Sequence, residues 1–175
     1  MAVMEIVPVP YDHPDAVMLN DRVQLEYAER YGEGDHTVMD PLHFTPPRGL
    51  YLLAYDADGT PLATGGWRAM DGTPEGHRPG DAELKRMYVV PEARGRGLAR
   101  RILAALEESA RAAGRARMVL ETGSKQPEAI ALYRSEGYEP TEKFGYYRCE
   151  PDSRCFAKPL RAARDGEQAE GVAAR

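Results

Sequence analysis

A chain of 175 residues with 42% hydrophobic and 29% charged side chains has enough apolar material for one globular core and too little for two independent ones. With 23 basic against 28 acidic residues, the net charge of -5 provides no global positive field for a polyanion, so nucleic acid is disfavoured and any anion must be bound locally. No run approaches the roughly 20 apolar residues of a membrane span, and the opening MAVMEIVPVP lacks a basic start, so a soluble, cytoplasmic protein with no membrane partner is expected.

A short strand is predicted over Glu5–Val9. Pro14 can then open a helix reaching about Tyr31, in which Val17, Met18, Val23, Leu25 and Tyr27 are scattered among polar residues. The following GEGDHTVMDPLHFTPPRG has three prolines and no periodicity, which predicts a long loop suited to form a substrate lip. LYLLAY and PLATGGWRA read as antiparallel strands joined by DADG, whose Asp58-Gly59 pair suits a tight turn. After a Gly/Pro-rich loop from Asp71 to Gly80, AELKRMYVV reads as a third strand ending at Pro91.

Leu98, Ile102, Leu106, Ala110 and Ala113 recur at helical spacing, and Gly114 is placed to end that helix. ARMVLET predicts a buried strand, PEAIALYRSEG a helix from Pro127 to Gly137, and RCFAKPL a last strand. The alternation of strand and helix implies parallel pairing in part of the sheet. Residues 1–160 are expected to form one domain and 161–175, polar and without an apolar stripe, a frayed tail. Cys149 and Cys155 are too few for a disulfide scaffold and read as reduced thiols.

The chemistry concentrates in VVPEARGRGLARRIL, Val89 to Leu103. A strand that turns through glycines into a helix leaves the first helical N–H groups unpaired and pointing outward together. The helix dipole, close backbone approach at Gly95 and Gly97, and the charges of Arg94 and Arg96 suit such a turn to a phosphate or pyrophosphate. A turn that binds nothing is the competing reading. Neither G-x-x-x-x-G-K-[ST] nor G-x-G-x-x-G is present, because Arg100 stands where a third glycine belongs.

Arg94-Gly95-Arg96-Gly97-Leu98-Ala99 fits R-x-x-G-x-G/A and resembles the pyrophosphate motif of the GNAT superfamily of N-acetyltransferases. ELKRMYVVPEARGRGLARRIL resembles that family's central strand, loop and helix, and LETGSKQPEAIALYRSEGY its next strand and helix, so the likeness runs from about Glu83 to Tyr138. It implies an α/β (α+β) fold: a single domain with a central mixed sheet of about six or seven strands flanked by helices, two parallel strands splaying apart at the cofactor site. It also implies acetyl-CoA as co-substrate and a small-molecule or peptide amine as acceptor, and it leaves a homodimer open.

By this resemblance, backbone amides from Arg96 through Gly97 and Leu98 to Ala99 hold the pyrophosphate, with Arg94 and Gly95 shaping the turn. Met87, Tyr88 and Val89 present backbone groups to the pantetheine arm and thioester, the Val89 N–H to the thioester carbonyl. Gln126 stands where many relatives have asparagine and implies a coenzyme contact. Tyr133 matches the family's tyrosine that protonates the departing thiolate, while its helical spacing equally suits a core residue. An alkylammonium of pKa about 10 needs a base, for which Glu83 is the first candidate. The alternative for Glu83 is a strand carboxylate paired with a neighbouring cation, and the family's bulge in this strand would alter the phase that groups it with Lys85, Met87 and Val89.

For the acceptor, Glu33, Asp35 and Asp40 in the long loop would favour a cationic amine, whereas Arg68, next to Trp67, would suit a carboxylate. Two further readings compete with the enzyme: a non-catalytic acetyl-CoA sensor, and a metal site from Asp35, His36, Asp40 and His43, whose spacing matches no tight zinc signature. Direct transfer in a ternary complex is expected, since neither cysteine has a visible activating partner.

Overall fold

A computed structural model describes residues 4–160, so the expected tail lies outside the described residues. Seven strands form one mixed sheet in the order β1-β2-β3-β4-β5-β7-β6. They are β1 (Glu5–Pro8), β2 (Gly49–Tyr55), β3 (Pro61–Met70), β4 (Asp81–Val89), β5 (Arg117–Gly123), β6 (Glu139–Pro140) and β7 (Ser153–Pro159). Helix α1 spans Pro14–Tyr31, α2 Leu98–Ala112 and α3 Pro127–Ser135. All neighbouring strands are antiparallel except β4 and β5.

Helix α2 is apolar along one stripe, and Leu98, Ile102, Leu103, Leu106 and Ala110 are buried from it. Each large side chain so buried contributes roughly 1.5–3 kcal/mol. The stripe also carries Glu107, buried because Lys158 and the Tyr138 hydroxyl both donate to its carboxylate, while Ala113 is exposed at the cap. Residues of β3 alternate between faces. Gly65 lies under Ile102 and Leu106 of α2, whereas Gly66 lies under Tyr51 and Phe44, on the side where Tyr51 donates to Asn20 of α1.

Helix α1 buries Ala16, Leu19, Asn20 and Val23. Three of its apolar side chains, Val17, Met18 and Leu25, are exposed instead, so the docking stripe is narrow, with Leu19 and Val23 as its apolar anchors. The long loop after α1 contains a 3-10 turn at Pro41–Phe44, capped by Asp40, which anchors Phe44 in the core. The two-residue β6 has no apolar alternation and was invisible to pattern reading.

Candidate active site

The single parallel pairing is short: Asp81–Glu83 of β4 meets Arg117–Val119 of β5, and no further. Past it β4 carries a bulge. Lys85 pairs with Gly66 and Tyr88 with Thr64, leaving Arg86 and Met87 together opposite Gly65. Arg86 takes φ of 59° there, a left-handed conformation rare outside glycine. The extra residue bends the strand, and its side chain is locked by an ion pair to Asp35 at 2.8 Å.

Where the strands part lies a cavity of about 360 Å³, lined by Leu84–Met87 of β4, Leu120–Gly123 of β5, Tyr27 and Tyr31 of α1 and Tyr133 of α3. Gly123 permits this closure, because a Cβ there would occupy the space of the Tyr31 hydroxyl. Gln126, the residue before α3, donates to that hydroxyl at 3.3 Å and also lines the cavity.

Val90 donates to Leu62 of β3, so by antiparallel alternation the Val89 amide points to the opposite, open edge of β4. The Val89 carbonyl on that edge receives Nε of Arg94 at 3.0 Å. After the 3-10 turn at Pro91–Ala93, Gly95 (φ 84°) and Gly97 (φ 75°) turn the chain into α2. Space around both glycines is open, and α2 has no side-chain cap. Among the described residues the amides from Gly95 to Arg100 donate to no protein group, Arg101 to Gly97 being the first helical bond. That observation fits a coenzyme pyrophosphate. The arginines stand aside from it: Arg94 pairs with Glu26 at 2.8 Å and Arg96 lies 3.9 Å from Asp56.

Tyr133 is buried against Tyr138, faces the cavity, and its hydroxyl has no hydrogen-bond partner among the described residues. Burial, with the Tyr27 phenol beside it, pushes its pKa up, so the group is a neutral O–H donor at physiological pH. Met87 lines the cavity, whereas the side chains of Tyr88 and Val89 do not; Tyr88 is buried under the Arg94 guanidinium.

Two acidic groups of the long loop reach the cavity, Glu33 and Asp35. Asp35 is held by Gln24 through both backbone groups and points at Lys85 (3.4 Å) and Arg86. Burial opposes ionisation, but the two cations outweigh it and lower its pKa. The proposed metal ligands therefore do not converge. Asp35 turns inward, His36 sits on Glu33, and His43 lies 3.8 Å from its own neighbour Asp40; no metal-holding cluster exists among the described residues.

Trp67, Arg68 and Glu83 also fall outside the main cavity. Trp67, 1% exposed, faces α2, where its ring N–H donates to Ser109, so it is a core residue and not an acceptor contact. Its neighbour Arg68 faces the other side by the period-two alternation of a strand and is buried in an ion pair with Glu83. Glu83 in turn receives Nε and Nη2 of Arg68 on one oxygen and Nε2 of His77, at 2.5 Å, on the other. Burial alone would raise its pKa, but His77, Lys85 and Arg68 together bring it down to about 2. Such a carboxylate is a poor base, and it does not line the main cavity.

Pattern reading missed Arg86, Glu121, Lys125, Tyr146, Tyr147 and Ser153, all of which line the cavity. For Glu121 a signal existed: it is the one acid in the apolar run MVLETG. A charge inside a buried strand needs a reason.

The acetyltransferase (GNAT) family model matches residues 17–138. The chain is 47% identical over 81 residues to an IAA acetyltransferase of Azospirillum brasilense, covering 46% of this chain and about half, 53%, of that relative's length. It is 32% identical over 145 residues to an uncharacterized N-acetyltransferase of Schizosaccharomyces pombe, covering 79% of this chain and 83% of the other. In three dimensions it matches a Klebsiella pneumoniae protein assigned as an acyl-CoA N-acyltransferase with a TM-score of 0.72 and 28% identity, over 90% of this chain and 98% of that one. Strands splayed by a bulge, free amides at the α2 start and a family match across both elements lead to one conclusion: the chain belongs to the GNAT family of acetyltransferases, built to use an acyl-CoA co-substrate.

Proposed function

We propose that this protein is a cytoplasmic N-acetyltransferase that moves the acetyl group of acetyl-CoA to a primary amine of a small molecule or peptide, by direct attack in a ternary complex. The observation that carries this reading is the continuity of the site. Unpaired amides of the 95–100 turn lie at one end of the open β4 edge, and the cavity holding the free Tyr133 hydroxyl lies at the other. Acetyl-CoA, when bound, supplies an acyl group activated as a thioester.

The residues of the chain do the rest. Amides from Arg96 to Ala99 hold the pyrophosphate, and Arg94 and Gly95 fix the turn. The open edge from Met87 to Val89 receives the pantetheine arm, with the Val89 N–H stabilising oxyanion charge on the thioester carbonyl. Gln126 orients the arm from the start of α3, and Tyr133 gives its proton to the thiolate. An acyl-enzyme has no support. Cys149 does not line the cavity, and burial pushes the Cys155 thiol up, away from its nucleophilic form.

Mass-spectrometric screening of amines, amino acids and peptides with acetyl-CoA tests the reading. Acetylated product with stoichiometric thiol release is expected. Tight coenzyme binding without turnover across the panel would instead identify an acetyl-CoA sensor, and no binding at all would remove both.

A further inference from the structure

Building on the N-acetyltransferase reading above, we propose that Glu121 is the carboxylate that receives the acceptor's ammonium group and its proton, and that the acceptor is a primary amine carrying no carboxylate of its own.

Glu121 sits on β5 two residues beyond Val119, the last partner of β4, and so at the point where the strands have just parted. Its Oε1 accepts from Ser153 Oγ at 3.1 Å, and its second oxygen has no protein donor among the described residues. It lines the main cavity and also a smaller one of about 20 Å³, which Glu83 and His77 line from the far side. That volume suits one water with polar partners and gives the proton a way out. The surrounding charged and titratable groups are Lys85 and Glu83 on β4, Arg68 on β3, Asp35 on the loop after α1, Tyr27 on α1, Cys155 on β7, Glu75 and His77 between β3 and β4, and Tyr146 and Tyr147 before β7. Burial lifts the Glu121 pKa above 4.5 against the pull of Lys85, which brings it towards the range useful for a base.

The charge of the cavity argues for the acceptor class. Its lining carries five carboxylates (Glu33, Asp35, Glu121, Glu150, Asp152) and three cations (Lys85, Arg86, Lys125). Asp35 already occupies Lys85 and Arg86, and Lys125 lies over the Tyr31 ring. An acceptor carboxylate would thus meet net negative charge, while an ammonium would meet Glu121 in a cavity also lined by tyrosines.

The step balances. An N–H bond of the ammonium breaks and an O–H bond forms on Glu121, freeing the nitrogen lone pair to attack the thioester carbon. As the adduct collapses the C–S bond breaks and Tyr133 protonates the thiolate. The second proton lost from nitrogen restores Tyr133, and Glu121 returns its own to solvent, leaving amide, thiol and one proton.

The test uses matched probes, 2-phenylethylamine against phenylalanine and cadaverine against lysine, with wild type, Glu121→Gln and Glu121→Asp. The amine of each pair is expected to have at least about ten-fold higher kcat/KM. Glu121→Gln should lower kcat by about 10²-fold or more and flatten the acidic limb of the pH profile, with acetyl-CoA affinity unchanged by calorimetry and partial recovery in Glu121→Asp. A wild-type rate and profile in Glu121→Gln, or preference for the amino acids, would overturn the proposal. If acetyl-CoA binds but neither these probes nor any member of the broader panel is acetylated, the N-acetyltransfer reading fails. Carboxyl ¹³C NMR then decides Glu121 separately, since a signal absent in Glu121→Gln that shifts with 2-phenylethylamine supports the contact and an unmoved one overturns it.

Discussion

Glu83 and Glu121 stand on adjacent strands, two register positions apart, on either side of the point where β4 and β5 separate. Glu83 lies where the strands still pair, and Arg68 and His77 saturate both its oxygens. Glu121 lies where they have parted, with a single hydroxyl donor and a cavity in front of it. The consequences are opposite in sign: hydrogen bonds and nearby cations hold one carboxyl down near 2, and burial without enough of them pushes the other up. A carboxylate's state is set by what donates to it, and a shift of two register positions is enough to change that. The paired end ties its carboxylate into ion pairs, and the parted end leaves one facing the cavity.

The largest effect should come from breaking the paired end. Glu83→Ala leaves Arg68 as a buried charge without its counter-ion and should cost about 3–5 kcal/mol in denaturant unfolding. A full loss of turnover at unchanged stability would instead return Glu83 to the catalytic list. Next comes the parted end, where Tyr133→Phe should reduce kcat by about 10²-fold or more while acetyl-CoA affinity stays within two-fold of wild type, read by steady-state kinetics and calorimetry. Unchanged turnover would make Tyr133 a core residue.

Gly97→Ala forces a side chain into a left-handed position, so acetyl-CoA affinity should fall by about ten-fold, roughly 1–2 kcal/mol. Acid titration sharpens the contrast between the carboxylates. Glu83 has a folded pKa below its unfolded value of 4.5, so its stabilisation is present above pH 4.5 and is lost as pH falls from 4.5 towards 2. Glu83→Gln should lack that drop. Glu121, raised above 4.5, has the reverse linkage, stabilising at low pH and losing that contribution as pH rises, so Glu121→Gln should be slightly more stable than wild type at neutral pH. The smallest effect is expected at the exposed Arg22–Glu92 pair, 3.3 Å apart, where Arg22→Ala should change stability by about 1 kcal/mol or less.

Local patterns were legible wherever a side chain's fate follows from its neighbours in sequence. The apolar stripe of α2, the glycine turn before it and the period of β3 and β4 all read directly from spacing. The motif around Gly95 and Gly97 predicted free amides, and the helix start leaves them free. Trp67 was misplaced because β3 is buried on both faces, so alternation could not say which face met the cavity. Glu83 stayed open between base and paired carboxylate because Arg68 and His77, the partners that show the pairing, come from another strand and a loop.

By itself the sequence determined the family, the order of most elements and the glycine turn before α2, since these depend on short-range periodicity, dihedral freedom at glycine and unpaired helix-start amides. Tertiary structure alone decided which carboxylate faces the cavity with an oxygen free of protein donors among the described residues. Desolvation and ion pairing act through space, and the parting of β4 from β5 after Glu83 leaves Glu121 facing the cavity while Glu83 stays tied to Arg68 and His77.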